Sequence, residues 1–194
     1  MLQKLYKWTF SLAEHPKAVR WLAFVSFIES SIFPIPPDVI LLPMVLSNKS
    51  KAFFYAGICT LFSVLGGFLG YVIGYFLWEG IGSQIFEFYG YMDEFKTFQN
   101  SFSEYGAWLV FIFGLTFFPF KVITIASGAL MLDPFVFGVA SLLSRTPRFF
   151  IEAALLWKFG KPIKRFIEKQ LTLVTTIFVI LGILGFVGLK YIGA

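Results

Sequence analysis

Residues 24–46, FVSFIESSIFPIPPDVILLPMVL, decide the fold, because this stretch is apolar enough to enter a membrane yet cannot form one straight helix. A helix across a bilayer needs about 20 apolar residues, and each proline removes an amide donor and clashes with the preceding turn. The pattern predicts that one helix ends near Phe33 and that a second begins around Asp38. The prolines of the stretch are Pro34, Pro36, Pro37 and Pro43.

Backbone groups freed by such a break must be satisfied by protein or by water, because lipid offers no hydrogen bonds. We therefore expect a helix–break–helix that dips into the membrane and lines a hydrated cavity. The cavity would be charged, since Glu29 and Asp38 belong to the same stretch.

The composition indicates an integral membrane protein. Of the 194 residues, 58% are hydrophobic and only 14% are charged, whereas soluble domains average about 25% charged. The net charge of +5 predicts no nucleic acid partner, because the basic residues flank apolar segments in the manner of membrane proteins. A single cysteine, Cys59, excludes an internal disulfide, and a single histidine, His15, argues against a histidine metal site. We expect no metal and no cofactor.

The predicted fold is an all-α membrane protein with two inverted repeats, each a proline-broken re-entrant helical hairpin plus a spanning helix, and an additional C-terminal spanning helix. The chain divides into an N-terminal interfacial helix (1–20), the first hairpin and spanning helix (21–78), an acidic extracytoplasmic amphipathic segment (79–105), the second hairpin and spanning helix (106–157), and a basic cytoplasmic turn with the last spanning helix (158–194).

The charges of the loops favour this topology over five plain crossings. Five crossings would put residues 1–20 and the basic turn 47–51 on opposite sides and mix basic with acidic loops. With two re-entrant hairpins, the basic segments 1–20, 47–51 and 158–170 share one side, and the acidic segment 79–105 lies alone on the other. Basic loops favour the cytoplasm, so we expect a cytoplasmic N-terminus. Five plain crossings remain the alternative.

The two breaks resemble each other in sequence. Phe33-Pro34-Ile35 matches Phe118-Pro119-Phe120, in the apolar run that Pro119 interrupts. Inverted repeats with broken helices are typical of secondary transporters, whose binding site lies between the two breaks.

Ionisable residues at membrane depth are candidate functional residues, because each costs several kcal/mol if left bare. A partly buried carboxyl group such as Glu29 could load and release a proton, and Asp38 is either a second such group or a helix N-cap. Arg148 and Glu152, four residues apart, could neutralise each other, so the role of Glu152 stays open. Arg145 has no local partner, and we expect it to meet Glu29, Asp38 or an anionic ligand.

Lys121 lies two residues after Pro119, at the predicted second break. Helix N-termini there would carry partial positive charge and free amides, so Lys121 could complete a phosphate-binding corner. Its alternative role is to extend to the near membrane surface.

Small residues line one face of the first predicted spanning helix, which allows a second helix to approach closely. They serve packing within the chain or a homodimer. These residues are Gly66, Gly67, Gly70 and Gly74.

Four motifs together resemble the DedA family, the bacterial branch of the VTT (SNARE-associated Golgi protein) domain, and within it the YqaA-like subgroup. They are FIESSIFPIPPDVILLP (27–43), GGFLGYVIGY (66–75), FFPFKVITIASGAL (117–130) and SRTPRFFIEAALLWKFG (144–160). The resemblance implies two membrane-embedded hairpins facing each other and transport of lipids between leaflets. The implied bacterial substrates are undecaprenyl phosphate and phosphatidylethanolamine, with dependence on the proton-motive force.

Residue by residue, Glu29 and Asp38 match the acidic pair of the family's first hairpin. Its second hairpin carries two arginines around a proline; here Thr116 takes the first arginine position and Lys121 falls one residue short of the second. The resemblance thus implies that the basic role passes to Lys121, supported by Arg145 and Arg148.

These observations predict a non-enzymatic lipid translocase of the flippase or scramblase type in a bacterial cytoplasmic (inner) membrane. Its partners would be a phospholipid or polyprenyl phosphate and protons. A proton-coupled ion or small-solute antiporter is the alternative. An enzyme acting on a lipid phosphate ranks last, because the sequence lacks the residue sets that such transfer usually recruits.

Overall fold

The computed structural model describes residues 17–32, 36–116, 119–160 and 162, and these residues form helices and turns without any strand. This confirms the predicted all-α class. Most of the predicted interfacial helix (1–16), Pro34 and the last spanning helix (163–194) lie outside the described residues. The helices are α1 (Ala18–Glu29), α2 (Asp38–Ser47), α3 (Ala52–Leu77), α4 (Ser83–Tyr89), α5 (Met92–Leu115), α6 (Phe120–Ala129) and α7 (134–160); a 3₁₀ turn (Lys49–Lys51) precedes α3 and a π turn (Trp78–Gly82) follows it.

Both predicted breaks occur. Helix α1 ends at Glu29, four residues before the predicted end, and continues as a turn in which the Ile32 amide still donates to the Ile28 carbonyl at 2.9 Å. Helix α2 begins at Asp38 as predicted, but the N-cap residue is Pro37 and no side chain caps the helix. The interpretation of Asp38 as an N-cap is therefore wrong.

Helix α3 belongs to a continuous helical segment, Lys49–Tyr89, the one segment of the described residues that is both long and apolar enough to cross a membrane. The prediction placed a boundary at Trp78, but helical backbone continues beyond it through the π turn. Trp78 is buried and stacks on Phe95 with ring centroids 3.6 Å apart, which holds this extension against α5. The segment ends at Gly90, whose positive φ of 75° suits glycine.

The first hairpin, α1 and α2, lies beside the N-terminal half of α3. Leu22 of α1 and Val45 of α2 share one buried apolar cluster with Ala56 of α3. Farther along, the backbone of Phe27 contacts Gly66, so α1 runs in the same direction as α3. Because α2 leads back directly to the start of α3, the hairpin enters and leaves at that end.

The second hairpin, the C-terminal half of α5 together with α6, lies beside the opposite end of α3. The backbone of Ile125 contacts Gly74, and Gln99 of α5 donates to the Leu130 carbonyl at 3.2 Å. Toward the middle of the molecule, Gly114 of α5 contacts Ser144 of α7. The two hairpins thus approach each other from opposite ends of α3.

Helix α7 runs antiparallel to α3. Tyr71 Oη donates to the Leu132 carbonyl at 2.6 Å just before α7 begins, and Lys49 Nζ donates to the Trp157 carbonyl at 2.9 Å near its end. The helix begins at Pro134, a residue favoured at the first helical position, and Asp133 caps it by accepting a hydrogen bond from the Val136 amide at 2.9 Å.

The buried face of α3 consists mainly of small and polar residues, and large apolar side chains cover its exposed face. On α3, Cys59, Ser63 and Gly70 are buried, whereas Leu61 and Phe76 are exposed. The aromatic residues of α5 within the predicted amphipathic segment divide between a buried and an exposed face. Phe102 is buried, whereas Phe98 and Tyr105 are exposed.

Candidate functional site

The ends of the two hairpins meet beside the middle of α3. Ser30, just after α1, places its hydroxyl 2.7 Å from that of Ser63, the twelfth residue of the 26-residue helix α3. Thr124 of α6 donates to the Ser30 carbonyl at 3.2 Å. At about 1.5 Å per residue, Ser63 lies about 17 Å along the axis from the start of α3. The contact is therefore near the depth of the bilayer centre if α3 spans.

Arg145 of α7 reaches this contact and pairs with the first hairpin. Its Nη2 lies 3.0 Å from Oε2 of Glu29 and 3.3 Å from Oγ of Ser30, and the Ser30 hydroxyl lies 3.2 Å from the same carboxylate oxygen. This confirms the prediction that Arg145 meets an acidic residue of the first hairpin. Its side chain is only 3% exposed, whereas that of Glu29 is 17% exposed. The carboxylate therefore lies on the more accessible side of the pair.

Aromatic rings enclose the Arg145 guanidinium. Its Cζ lies 4.1 Å from the ring centroid of Phe120, the first residue of α6, and 5.4 Å from that of Phe149 on α7. A cation over an aromatic face at this distance is stabilised by the ring quadrupole. Arg145 therefore links both hairpins: the first through its ion pair and the second through Phe120.

Two buried polar atoms near Arg145 have no hydrogen-bond partner within the described part of the chain. They are Nε of Arg145 itself and Oγ of Ser141, which lies one turn earlier on α7. A buried donor without an acceptor is costly. Nε of Arg145 is therefore a donor that no acceptor of the described chain uses.

Arg148 forms a second ion pair one turn farther along α7. Its Nη2 lies 2.9 Å from Oδ2 of Asp38, and the side chains are 12% and 27% exposed. The sequence predicts Glu152 or a ligand as the partner of Arg148, and the structure instead pairs it with Asp38 of α2. Glu152 lies one turn after Arg148 on α7 and is partly buried.

Lys121 does not join either ion pair. It is the second residue of α6, directly after Phe120, and it is partly exposed. In the described structure, no carboxylate lies within ion-pair distance of its ammonium group. Lys121 thus provides a separate positive charge at the beginning of α6, next to the ring that contacts Arg145.

The predicted packing glycines lie where helices cross. A side chain at Gly66 would meet the Phe27 carbonyl, one at Gly74 would meet that of Ile125, and one at Gly70 would meet Thr124. At Gly67 the neighbours are side chains, with Phe120 at 3.3 Å. These glycines therefore serve contacts within the chain.

The polar residues that hold the hairpin ends together were not selected from the sequence. Ser30, Ser63 and Thr124 carry no charge, and a hydroxyl in an apolar helix is common. The available signal was the run of serines next to Glu29 in the first hairpin, Ser26, Ser30 and Ser31, all of which are buried.

Two curated proteins are similar to this chain over nearly its whole length. An uncharacterized protein of Haemophilus influenzae is 33% identical over 186 residues, covering 96% of both chains. An uncharacterized protein of Histophilus somni, described as an HI0703 homolog, is 34% identical over 186 residues, covering 96% of this chain and 97% of its own. The chain belongs to their family. No family model matches the sequence, and no solved structure matches it.

Proposed function

We propose that the chain is a membrane lipid translocase that moves a phosphate-bearing lipid between the leaflets of a bacterial cytoplasmic membrane. The observation that carries the proposal is the pair of arginines on α7, the buried Arg145 and the partly buried Arg148, each paired with a carboxylate of the first hairpin. A DedA-like function agrees with this arrangement, because that family is expected to have facing hairpins and to move lipids.

The distribution of residues supports a membrane location. Exposed leucines and phenylalanines around α3, over an interior of glycine and serine, suit a chain whose outside contacts lipid. Helices α1, α2 and α6 have 12, 10 and 10 residues, or about 15–18 Å at the usual rise, and the hydrocarbon core is about 30 Å thick. They are therefore re-entrant elements of two inverted repeats, and α3 and α7 cross. The N-terminus lies in the cytoplasm in this topology, because the basic segments share its side of the membrane.

Two carboxylates take the place of the substrate in the resting state. Glu29 and Asp38 pair with the two guanidinium groups that would bind a lipid phosphate. Arginine binds phosphate in the same forked geometry that it uses for carboxylate, so the headgroup can replace a carboxylate that is neutralised by a proton when it leaves the pair. Nε of Arg145, which has no partner among the described residues, offers one further donor to a phosphate oxygen.

Protons provide a means of opening these pairs. When Glu29 or Asp38 takes up a proton, its attraction for the arginine falls, and the guanidinium becomes available to phosphate. Lys121 attracts the headgroup toward the site from the second hairpin. The acyl chains stay in the bilayer throughout, so no closed cavity for them is needed.

Lipid flipping in liposomes tests the function. Purified protein is reconstituted with fluorescent phosphatidylethanolamine or a short-chain polyprenyl phosphate, and quenching of the outer leaflet is followed with and without a pH gradient. Flipping faster than in protein-free liposomes supports the proposal. No acceleration for either lipid by folded protein would refute it.

A proton-coupled antiporter for ions or small solutes is the second candidate, because the same charge pairs could open to a soluble anion. Photolabelling separates the two functions. A lipid probe with its reactive group in the headgroup should label residues near Lys121 in a translocase. It should not label them in an antiporter whose site is closed to lipid.

A further inference from the structure

The Arg148–Asp38 ion pair leaves one carboxylate oxygen of Asp38 without a hydrogen-bond donor. Oδ2 of Asp38 accepts a hydrogen bond from Arg148, but Oδ1 is buried and has no donor in the described part of the chain. A buried carboxylate oxygen normally accepts at least one hydrogen bond. An additional proton near Oδ1 would remove this deficit.

Glu152 is the group that can share such a proton. It lies one turn after Arg148 on α7 and thus beside the guanidinium that pairs with Asp38. Two ionised carboxylates beside one arginine repel each other, and neither has a proton to donate. A hydrogen bond between them requires one to be protonated, as in carboxyl pairs that share a single proton.

The charge balance of the cluster leads to the same conclusion. Two guanidinium groups, of Arg145 and Arg148, contribute +2, and three carboxyl groups, of Glu29, Asp38 and Glu152, contribute −3 if all are ionised. With one proton the sum is zero, and unbalanced charge at this depth is costly. The other titratable groups facing the pair do not alter the sum. Cys59 of α3 is a buried thiol, and Lys121 of α6 forms no ion pair with these carboxyl groups in the described structure.

We infer that Asp38 and Glu152 hold one proton between them, which makes Glu152 a proton-carrying residue of the site and not only a counter-charge for Arg148. Loss of this proton gives the cluster a net negative charge and strengthens the attraction of its carboxylates for Arg148. Gain of a second proton by the pair frees Arg148 for an anion. These consequences for transport rest on the proposed function, whereas the protonation itself does not.

Infrared spectroscopy of the full chain in lipid nanodiscs tests the inference. At neutral pH the wild type should show the carbonyl-stretch band of one protonated carboxyl group, shifted in D₂O and lost on alkaline titration. Glu152→Gln and Asp38→Asn should each lack the band, because either change leaves two carboxylates for two arginines. Glu104→Gln, at an exposed position on α5, is the matched control and should keep it.

Absence of the band from the wild type at neutral pH would overturn the inference, whatever the variants do. Persistence of the band in Glu152→Gln would also overturn it, because the proton would then reside elsewhere. If Glu152→Gln does not fold, Asp38→Asn and the wild-type titration decide. Since the measurement needs no lipid transport, its failure is distinguishable from failure of the flipping assay.

Discussion

Arg145 Nη2 and Glu29 Oε2 are 3.0 Å apart, although their residues are separated by 116 positions in the sequence. The bond joins the middle of α7 to the end of the first hairpin. Through the ring of Phe120, the same guanidinium also contacts the second hairpin. One side chain thus connects the elements that must separate if a substrate is to pass between the hairpins.

Removing the carboxylate of Glu29 should destabilise the protein. Glu29→Gln leaves Arg145 buried with its charge uncompensated, and we expect the free energy of unfolding to fall by about 3–5 kcal/mol. Arg145→Met combined with Glu29→Gln removes the stranded charge and should recover part of the loss. Unfolding in detergent micelles measures both, with the exposed Glu104→Gln as control. Strictly additive losses in the double variant would contradict coupling between the residues.

Arg145→Lys should destabilise the protein. The lysine ammonium group lacks the flat face that lies 4.1 Å from the Phe120 centroid, so we expect Arg145→Lys to lose about 1–2 kcal/mol. Arg148→Lys is the matched comparison, because Arg148 lies 5.6 Å from the Phe149 centroid and is more exposed. It should lose less. Equal losses in thermal unfolding would indicate that the aromatic contact contributes nothing.

The glycines of α3 should differ sharply in their tolerance of a methyl group. A Cβ at Gly66 would overlap the Phe27 carbonyl, whereas one at Gly57 would meet no atom within 4 Å. Gly66→Ala should therefore lower the free energy of unfolding by about 1–3 kcal/mol or more, and Gly57→Ala should be neutral or raise it by up to about 1 kcal/mol. Similar stabilities for the two variants would contradict the close crossing of α1 and α3.

Single cysteines can test the crossing of α3. The chain has one native cysteine, Cys59, which is buried and gives little background. Ser50→Cys and Tyr91→Cys introduce thiols at exposed positions before and after the long helical segment. A membrane-impermeant maleimide applied to whole cells should label Tyr91→Cys, whereas Ser50→Cys should need permeabilised cells. Labelling of both from the same side would exclude a spanning α3.

The breaks in the helices could be predicted because they depend on local chemistry. The proline cluster predicts the start of α2 at Asp38, where the structure has it. Helix α1 ends four residues before the predicted position, in a turn where Ile32 still donates to the Ile28 carbonyl. Prolines show where a helix cannot continue, whereas a helix can pass into such a turn before it reaches them.

The ion pairs could be predicted only in part. An arginine without a local partner in an apolar helix needs an anion elsewhere, and this reasoning predicted Glu29, Asp38 or an anionic ligand for Arg145; the structure shows Glu29. For Arg148, the local partner Glu152 competed with Asp38, which is 110 residues away. The choice depends on how α2 packs against α7, and helical periodicity carries no information about that.

The most direct test of lipid translocation compares Lys121→Ala with Lys96→Ala in the liposome assay. Both variants remove one lysine, but Lys96 is exposed on α5 and Lys121 lies at the start of α6, next to the site. We predict that wild type and Lys96→Ala accelerate the flipping of fluorescent phosphatidylethanolamine and respond to a pH gradient, and that Lys121→Ala slows flipping to near the protein-free rate. Unchanged flipping in Lys121→Ala would contradict a phosphate site at the second break, and no flipping by the folded wild type would contradict translocation itself.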